Sequence, residues 1–569
     1  MLLSNLDLLA TAPGGVARLR ELILTLAVQG KLLPQDPADE PASELLKKIR
    51  AEKDRLIAEG KIRRDKPLAG IEDEEKPFEL PVGWEWVRLN ALLQKIGAGS
   101  TPLGGREVYT PSGVKFLRSQ NVYDDGLRLQ SVAFIKPATH AKMAGTVVLP
   151  NDLLFNITGA SIGRCAVVPS DFDEANVSQH VTIVRPVMPE LNAFLHKVLV
   201  SRHVQQAVMD VQVGVSREGL SIAKLGNFLI PLPPLAEQSR IVTRVEELMR
   251  LCDALEAKGR LEAAQHAQLV TTLLATLTDS ATPEALAAHW QRLAAHFDTL
   301  LDRPEAVDAL EQTILQLAVR GLLVPQNPAD EPASVLLKHI RTEKDRLIAA
   351  GQIKRDKPLP PVGEDEQPFE LPNGWEWVRL LELLPEFQNG ASSRGDAGGR
   401  SITVLRLADI KDRRVSLADT RQLPISERDI QKYQLKEGDI LITRVNGSED
   451  IVGQFNLCDR VGEAIYCDHF IRMRVSGQWL NSLFLALVGE SDLVRRRIKS
   501  LFITTAGQKT VNQGHIGSLL LPLPPLTEQS RIVARVEALR RLCADLRQRL
   551  SASQSTQAHL AEALSQEVV

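Results

Sequence analysis

The sequence predicts an α+β fold in which two mixed α/β domains, related by pseudo-two-fold symmetry, are joined by long coiled-coil helices. Three observations predict it. The second half of the chain repeats parts of the first, two segments carry an apolar seam with coiled-coil spacing, and the segments between the repeats alternate short apolar runs with turn residues. A chain of 569 residues is also too long for one hydrophobic core.

The repeat has a constant shift of 291 residues. In its first stretch 35 of 46 aligned positions are identical, and in its last stretch 19 of 25 are identical. The repeated stretches are Ile23–Leu68 with Ile314–Leu359, Leu80–Leu89 with Leu371–Leu380, and Pro231–Leu255 with Pro522–Leu546. Residues 90–228 and 381–519 share only scattered fragments. The chain is therefore two variable blocks in a duplicated frame. A recent duplication without functional meaning does not explain why only the blocks diverged.

The long helices are predicted from the apolar seam that follows each PLPPL tract. The tract is extended because proline fixes φ, and the helix then begins with an acid in its first turn, Glu237 or Glu528. The seam residues are Ile241, Val245, Leu248, Cys252 and Leu255 in the first copy and Ile532, Val536, Leu539, Cys543 and Leu546 in the second. We expect the two seams to pack against each other, although a hairpin that only stabilises the fold fits equally. The pattern loosens near Gly259 and resumes around Leu269 and Leu273, which predicts a bend or break.

A second helix is predicted in each frame, over Ala42–Gly60 and Ala333–Gly351, with Ser43 and Ser334 as its capping residues. Its apolar face consists of Leu45, Ile49, Leu56, Leu336, Ile340 and Leu347. Lys and Arg fill the rest of the surface. A solvated charged face is the first interpretation of that pattern, and a docking surface for a partner subunit is the alternative.

The variable blocks are predicted to be mostly β with one late helix each, over Leu191–Val211 and Leu480–Ser500. GWEW opens each block, and its tryptophans are predicted to pack in the core rather than to stack on bases. The two blocks carry net charges of +3 and +2 in a chain of net charge −3, which leaves −8 for the frames. The blocks are therefore where a nucleic-acid surface is expected.

Composition excludes several classes of protein. The five cysteines form no CxxC pair and have no histidine at zinc-finger spacing, so neither a disulfide framework nor a structural metal is predicted. No signal peptide and no apolar run of membrane-spanning length is found, and a cytoplasmic location is expected. Methyltransferase and P-loop motifs do not occur, so no catalytic residue and no cofactor bound by this chain are predicted.

The doubled GWEWVRL, each copy followed by a variable block and by PLPPL-x-EQ, resembles the specificity subunit of Type I restriction-modification systems. The frame around DPADEPAS resembles one subgroup of that family, and the resemblance covers both halves. It implies two target recognition domains, each of which reads one half of a split, asymmetric DNA sequence, joined by long antiparallel coiled-coil helices that set their spacing. The implied segments are a helical frame (1–79), a recognition domain (80–230), a central coiled-coil helix with the second frame (231–370), a second recognition domain (371–521) and a C-terminal coiled-coil helix (522–569).

The same resemblance implies the partners. These are double-stranded DNA, two modification (methyltransferase) subunits and the restriction (translocase and nuclease) subunits, with S-adenosylmethionine, ATP and magnesium expected in the partners and not in this chain. Two other classes stay open from the sequence. One is a stand-alone nuclease with a diverged carboxylate site, and the other is a scaffold whose blocks bind protein.

Candidate DNA contacts are polar residues in turn-rich stretches of the two blocks, because Arg, Asn and Gln read base edges while Lys, Ser and Thr bind phosphates. In the first block they are Arg118, Ser119, Gln120, Asn121, Asn156, Thr158, Ser161, Arg164 and Arg217. In the second block they are Arg406, Lys411, Arg413, Arg414, Thr443, Arg444, Asn446, Thr505, Gln508, Lys509 and Thr510. The basic cluster of Arg495–Arg497 with Lys499 either holds phosphate or only solubilises a helix.

Overall fold

The computed structural model describes residues 6–64, 67–102, 104–213, 219–280, 282–355, 360–391, 399–459, 461–505 and 507–567. The α-helices are α1 (Leu6–Thr11), α2 (Gly15–Val28), α3 (Ala42–Ala58), α4 (Pro137–Lys142), α5 (Asn192–Leu199), α6 (Arg202–Val213), α7 (Ile222–Gly226), α8 (Leu235–Thr278), α9 (Pro283–Ala294), α10 (Phe297–Leu300), α11 (Pro304–Val319), α12 (Ala333–Ala349), α13 (Glu427–Tyr433), α14 (Ser482–Glu490), α15 (Asp492–Ser500), α16 (Gln513–Gly517) and α17 (Leu526–Glu567). No helix among these residues is both long and apolar enough to cross a membrane.

The strands are short, and most belong to the two variable blocks. They are β1 (Glu85–Arg88), β2 (Leu93–Ala98), β3 (Tyr109–Thr110), β4 (Val114–Leu117), β5 (Val122–Tyr123), β6 (Gly126–Leu127), β7 (Ala133–Ile135), β8 (Val147–Val148), β9 (Leu153–Asn156), β10 (Cys165–Val167), β11 (Ala175–Val177), β12 (Val181–Pro186), β13 (Leu229–Leu232), β14 (Glu376–Arg379), β15 (Glu386–Asn389), β16 (Arg400–Leu405), β17 (Ile410–Lys411), β18 (Arg414–Val415), β19 (Arg421–Ile425), β20 (Ile440–Thr443), β21 (Val445–Asn446), β22 (Phe455–Leu457), β23 (Ala464–Tyr466), β24 (Phe470–Arg474), β25 (Ile503–Thr505), β26 (Gln508–Thr510) and β27 (Leu520–Leu523).

The chain forms two compact units. Unit 1 contains residues 1–262 together with 554–569, and unit 2 contains residues 263–553. Each unit therefore holds one copy of the frame, one sheet-rich domain and a portion of both long helices, α8 and α17.

Each variable block begins and ends at one place in its frame. The GWEW strand β1 pairs antiparallel with β13 of the PLPPL tract, with Glu85 opposite Leu232, and β14 pairs with β27 in the same way, with Glu376 opposite Leu523. Trp84 and Trp375 are buried next to these ribbons, which confirms core packing for the first tryptophan of each motif. A block whose two ends meet is inserted in the frame as a module.

The two sheet-rich domains share a scaffold despite their divergent sequences. Unit 1 has a four-stranded antiparallel sheet in the order β10–β9–β12–β2, and unit 2 has the corresponding antiparallel strands β22–β20–β24–β15 within a six-stranded sheet that β18 and β17 extend. Next to it lies a mixed sheet, five-stranded in unit 1 and three-stranded in unit 2, in which β4 runs parallel to β11 and β16 runs parallel to β23, respectively. Unit 2 adds the small sheet β21–β26–β25. The predicted mostly-β character of the blocks is confirmed.

Each antiparallel sheet separates two hydrophobic cores. In β9, Leu153 and Phe155 belong to the core shared with the helices, whereas Leu154 belongs to the core on the opposite face. In β20, Ile440 and Leu441 divide in the same way. Successive side chains of a strand point to opposite faces, so a strand that is buried on both faces reads as a continuous apolar run rather than as an alternation.

The predicted seam is buried for most of its length, but a frame helix covers it within each unit. Ile241, Val245 and Cys252 belong to the core that also contains α2, and Arg20 of α2 donates to Asp253 of α8 at 2.6 Å. In unit 2, Ile532, Val536 and Cys543 belong to the core that contains α11, and Arg547 of α17 donates to Asp308 of α11 at 2.6 Å. The heptad spacing revealed the buried face of each helix, but it did not identify this neighbour.

The predicted break in α8 is wrong, because the helix runs unbroken past Gly259. Its apolar face continues as Val270, Leu274 and Leu277, with Leu273 packed against the same core, whereas Leu269 is half exposed. The predicted return of the apolar pattern is therefore confirmed at Leu273 and wrong at Leu269. At 3.6 residues per turn, a straight helix drifts away from a strict seven-residue pattern, so extending the seam by two heptads, or about four helical turns, placed Leu269 beside the buried face rather than on it.

Two further predictions were corrected. Ser43 and Ser334 do not cap α3 and α12, because the cap positions are Pro41 and Pro332, and the first helical N–H of α3, on Ala42, donates to the Gly83 carbonyl at 2.8 Å. Each predicted late helix is a pair of helices. The chain breaks at a buried serine, Ser201 or Ser491, whose hydroxyl donates to the carbonyl three residues earlier. Such side-chain to backbone bonds compete with helix continuation.

Candidate nucleic-acid interface

In unit 1, the end of β9 and the start of β12 meet at one edge of the antiparallel sheet. The backbone N–H of Ile157 donates to the His180 carbonyl at 3.0 Å, and the N–H of Leu220 donates to the Ile157 carbonyl at 2.8 Å. Three chain segments that are distant in sequence therefore converge. We call Ile157, Thr158, Gln179 and His180 the strand-end cluster of unit 1.

Unit 2 builds the same edge with the same backbone bonds. The N–H of Arg444 donates to the His469 carbonyl at 2.7 Å, and the N–H of Val511 donates to the Arg444 carbonyl at 3.0 Å. Arg444, Val445, Asp468 and His469 form the strand-end cluster of unit 2. The two clusters thus share their main-chain geometry and differ in side chains.

A glycine fixes the turn that carries the histidine in each cluster. Gly99 donates to the Val181 carbonyl at 3.0 Å, and a Cβ atom on Gly99 would lie 2.0 Å from the Val177 carbonyl oxygen. Gly390 occupies the equivalent position in unit 2, where a Cβ atom would lie 2.0 Å from the Cys467 carbonyl oxygen. Both contacts are with backbone, which cannot move aside as a side chain can, so only glycine allows this close approach.

The side chains of the unit 1 cluster form a polar network. The Thr158 hydroxyl lies 2.6 Å from His180 Nδ1, and the Gln179 amide nitrogen lies 3.0 Å from His180 Nε2. Thr101 donates to the Gln179 amide oxygen. Gln179 and His180 are exposed, so their remaining donors and acceptors face solvent.

Two of the predicted contact stretches of the first block are held together by Asn156. Its amide donates to the Ser119 carbonyl at 2.9 Å and to the Ser161 hydroxyl at 3.1 Å. Asn156 is fully buried, and so is Asn121, whose amide donates to the Arg128 carbonyl at 2.8 Å. The two stretches therefore converge, but these two asparagines position loops and do not face DNA.

Arg118 and Arg406 occupy equivalent places, since each precedes a short 3-10 turn that follows a strand, but they differ in charge balance. Arg406 donates to the Asp409 carboxylate at 3.2 Å. The residue equivalent to Asp409 in unit 1 is the neutral Asn121, and Arg118 has no carboxylate partner among the described residues. Gln120 in the same turn of unit 1 is exposed. Arg164 lies over the Tyr123 ring at 4.5 Å.

In unit 2 the small sheet brings two predicted stretches together. Val445 and Asn446 on β21 pair with Thr510 and Lys509 on β26, and β26 also pairs with β25, which ends at Thr505. The candidates in this sheet that are not buried are Asn446, Thr505, Gln508, Lys509 and Thr510. Lys509 lies 3.2 Å from the Glu449 carboxylate. Thr443 is buried and accepts from Asn456, so it positions the strand and does not face DNA.

Most of the other basic candidates contact groups of the protein itself. Lys411 is exposed, whereas Arg414 approaches Glu537 of α17 at 3.6 Å, next to the half-buried Arg413. Arg495 is buried and donates to three backbone carbonyls, which assigns it a structural role, and burial lowers its pKa to about 10. Arg217 lies outside the described residues.

Sequence reasoning missed the two residues that are most alike between the clusters, His180 and His469. Each is the last residue before a buried strand, in SQH-VTIV and CDH-FIRM. The signal was a shared histidine at the start of an apolar run in both blocks. The repeat search did not reveal this shared histidine, because the two blocks align here at a shift that differs from the 291 residues of the frames.

Two domains with one scaffold and different polar side chains at the same edge, each set in its own copy of one frame, define a two-module recognition protein. Residues 81–266 and 413–553 match the family described as Type I restriction modification DNA specificity domain, and this chain belongs to the family of Type I restriction enzyme specificity subunits.

Two relatives match nearly the whole chain. The Type I restriction enzyme EcoEI specificity subunit of Escherichia coli is 37% identical over 565 residues, which are 97% of this chain and 93% of that protein. The EcoAI specificity subunit of Escherichia coli is 36% identical over 568 residues, with the same coverage. A solved chain from a study of complex assembly and conformational transition of the type I R-M system covers 86% of this chain and 99% of its own length, with a TM-score of 0.50 and 19% identity, which is a likeness of fold.

These matches confirm the predicted family and the predicted fold of two sheet-rich recognition domains with a long helix between them. They also confirm that the chain is a specificity subunit, the DNA-recognition component and not a catalytic component of a restriction-modification complex.

Proposed function

We propose that each recognition domain reads one half of a split, asymmetric sequence in double-stranded DNA through its strand-end cluster. One observation carries the proposal: the two clusters share their backbone hydrogen bonds, yet Ile157 and Gln179 in unit 1 correspond to Arg444 and Asp468 in unit 2. A common scaffold that presents different donors and acceptors is what reading two different half-sites requires, because each base pair offers its own pattern in the major groove.

The proposed contacts are the accessible polar residues of the clusters and of the turns beside them. In unit 1 they are Arg118, Ser119, Gln120, Thr158, Ser161, Arg164, Gln179 and His180, with Arg217 retained from the sequence alone. In unit 2 they are Arg406, Lys411, Arg444, Asn446, His469, Thr505, Gln508, Lys509 and Thr510. Arg118 is the strongest candidate for base reading, since a guanidinium that no carboxylate neutralises is available for a bidentate bond to guanine.

A block exchange tests this function. Residues 90–228 are replaced by the corresponding block of another family member, and methylated positions are mapped in a host that carries the complete system. We expect one half of the recognised sequence to change while the other half and the spacer stay the same. A change in both halves, or in neither, contradicts the proposal that each recognition domain reads one half of the sequence. Metal-dependent cutting of plasmid by the purified chain would favour a nuclease instead, and loss of all sequence-selective DNA retention would favour a protein-binding scaffold.

We further propose that the duplicated frame docks two methyltransferase subunits, to which restriction subunits are added, with S-adenosylmethionine, ATP and magnesium bound by those partners. Each unit exposes the same pair of leucines, one from each long helix. Leu251 and Leu542, which are equivalent, are 59% and 66% exposed, and Leu269 and Leu560, also equivalent, are 51% and 50% exposed. Exposed apolar side chains that recur at equivalent places in both units support one partner bound twice.

The docking proposal is tested by the mass of the complex. Leu251→Glu is expected to remove one of two methyltransferase copies, Leu542→Glu the other, and the double variant both. Leu417→Glu, at a leucine 42% exposed in the second recognition domain, is the control and leaves the mass unchanged. A double variant that still binds two copies contradicts the proposal.

A further inference from the structure

One turn in unit 2 gathers three kinds of metal ligand, of which the equivalent turn of unit 1 has only the imidazole. Cys467, Asp468 and His469 follow β23 directly, and their sulfur, carboxylate and imidazole ligand atoms all lie within 4.8 Å of one another. Cys467 Sγ is 3.7 Å from His469 Nδ1, and His469 Nδ1 is 3.2 Å from Asp468 Oδ1.

These separations are close to the edges of a zinc tetrahedron. With Zn–S near 2.3 Å and Zn–N and Zn–O near 2.0 Å, adjacent ligands are about 3.6 Å apart for sulfur and nitrogen and about 3.3 Å apart for nitrogen and oxygen. We propose that Cys467, Asp468 and His469 bind a borderline-soft divalent cation of the Zn²⁺ class, with the fourth ligand supplied by solvent or by an oxygen or nitrogen atom of a bound ligand.

The local charge balance suits a divalent cation. A thiolate and a carboxylate neutralise it, and the imidazole adds a neutral ligand. The nearby guanidinium of Arg406 is engaged by the Asp409 carboxylate, and Arg444 donates to the Asp468 carbonyl at 3.3 Å.

The turn is held in place before a cation arrives. The N–H of Ala391 donates to the Tyr466 carbonyl at 3.0 Å, Gly390 donates to the Phe470 carbonyl at 3.1 Å, and Cys467 donates to the Leu405 carbonyl at 3.0 Å. The side chains of His469 and Asp468 are about half exposed, so a cation can reach these ligands from solvent. The sequence analysis predicted no metal site, because it considered CxxC pairs and histidines at zinc-finger spacing and not three adjacent ligand residues.

The chain supplies its own negative control. The equivalent turn of unit 1 is Ser178–Gln179–His180, which retains the histidine but has neither the thiol nor the carboxylate. The site therefore belongs to the second recognition domain alone. The inference stands apart from the proposed reading of DNA, because it concerns a cation bound by the free chain.

The test is a titration of the full-length, reduced, EDTA-treated chain with Co²⁺, followed by displacement with Zn²⁺. We expect one equivalent of Co²⁺ to give the visible absorption of a tetrahedral site together with a sulfur-to-cobalt charge-transfer band. Cys467→Ser, Asp468→Asn and His469→Ala should each weaken binding by about tenfold or more, in line with the loss of a ligand. Cys458→Ser, at a buried cysteine of the same domain, and His180→Ala should leave it unchanged.

Thiol reactivity gives a second measurement that needs no variant. Cysteine binds the cation as the thiolate, so binding releases the thiol proton and affinity should rise with pH. Zn²⁺ should protect one thiol per chain from a thiol reagent. Absence of a charge-transfer band and of protection, or an unchanged band in Cys467→Ser, overturns the proposal.

Discussion

The indole N–H of Trp84 donates to the carboxylate of Glu237 at 3.0 Å, across 153 residues of chain, and the pair is almost completely buried. Trp375 and Glu528 repeat the bond at 3.1 Å in unit 2. The bond joins the entrance of each variable block to the first turn of the long helix that follows the block. Burial raises the pKa of both carboxyl groups, because their charged forms lose favourable contact with water.

Removing the indole donor is expected to destabilise unit 1. Trp84→Phe leaves the buried Glu237 carboxylate with Gln35 as its remaining side-chain partner, at a cost of about 1–3 kcal/mol for the lost bond. Trp86→Phe is the matched control, because the Trp86 indole N–H has no partner among the described residues. The free energy of unfolding, measured with denaturant, should fall more for Trp84→Phe, and equal losses would contradict this role of the bond.

Acid should destabilise unit 1 through a buried histidine. Burial lowers the pKa of His196 to about 4, and its Nε2 lies 2.9 Å from the Cys165 carbonyl. A folded-state pKa below the unfolded value of about 6.5 means that stability is full above pH 6.5 and falls as the pH drops toward 4, by roughly 3 kcal/mol in total. His196→Gln keeps a hydrogen-bond donor but does not titrate.

The measurement compares the free energy of unfolding of wild type and His196→Gln near neutral pH and at about pH 4.5. The variant should lose less stability on acidification. Unit 2 provides an internal comparison, since α14, which occupies the place of α5, contains no histidine. Parallel losses in wild type and variant would assign the acid sensitivity to other groups.

Much of the fold was predictable because the repeat and the apolar spacing are visible in the sequence without knowledge of tertiary contacts. The seam residues Ile241 and Val245 were identified by spacing alone. Their neighbour α2 was not, because heptad spacing shows which face is buried and not what covers it. The late helices were predicted unbroken because one buried hydroxyl, that of Ser201, decides the break, and its hydrogen bond depends on tertiary burial.

The candidate interface was predictable only as stretches. Polar turn composition pointed to the segments around Arg118 and Thr158, and these do converge. The same composition also selected Asn121 and Asn156, which are buried because loops need internal hydrogen-bond partners as much as DNA does. The convergence of His180 with Thr158 depends on the strand register between β9 and β12, which no single stretch encodes.

Arg118 gives the most direct test of base reading. Arg118→Gln is expected to weaken selective binding of the half-site read by the first domain by about tenfold or more, since a bidentate Arg–guanine contact contributes about 1–3 kcal/mol. Arg128→Gln is the matched control, because Arg128 is already occupied by Asp125 and the Tyr123 ring. Competition binding with DNA altered in one half-site, in the presence of the methyltransferase subunit, measures the effect. Equal losses for both variants would indicate a general electrostatic contribution.

Gly99 tests whether the shared backbone geometry of the strand-end cluster is needed for recognition. Gly99→Ala forces a methyl group against the Val177 and Ser178 carbonyl oxygens, at 2.0 and 2.4 Å, so the turn that carries Gln179 and His180 must shift. We expect a loss of about 1–3 kcal/mol in stability, the usual range for overpacking, together with weakened binding of one half-site. Gly97→Ala, two residues earlier, has open space around its Cβ position and should change neither property. If Gly99→Ala binds DNA as wild type does, the glycine contact serves folding alone, and the cluster does not depend on this close approach to present its side chains.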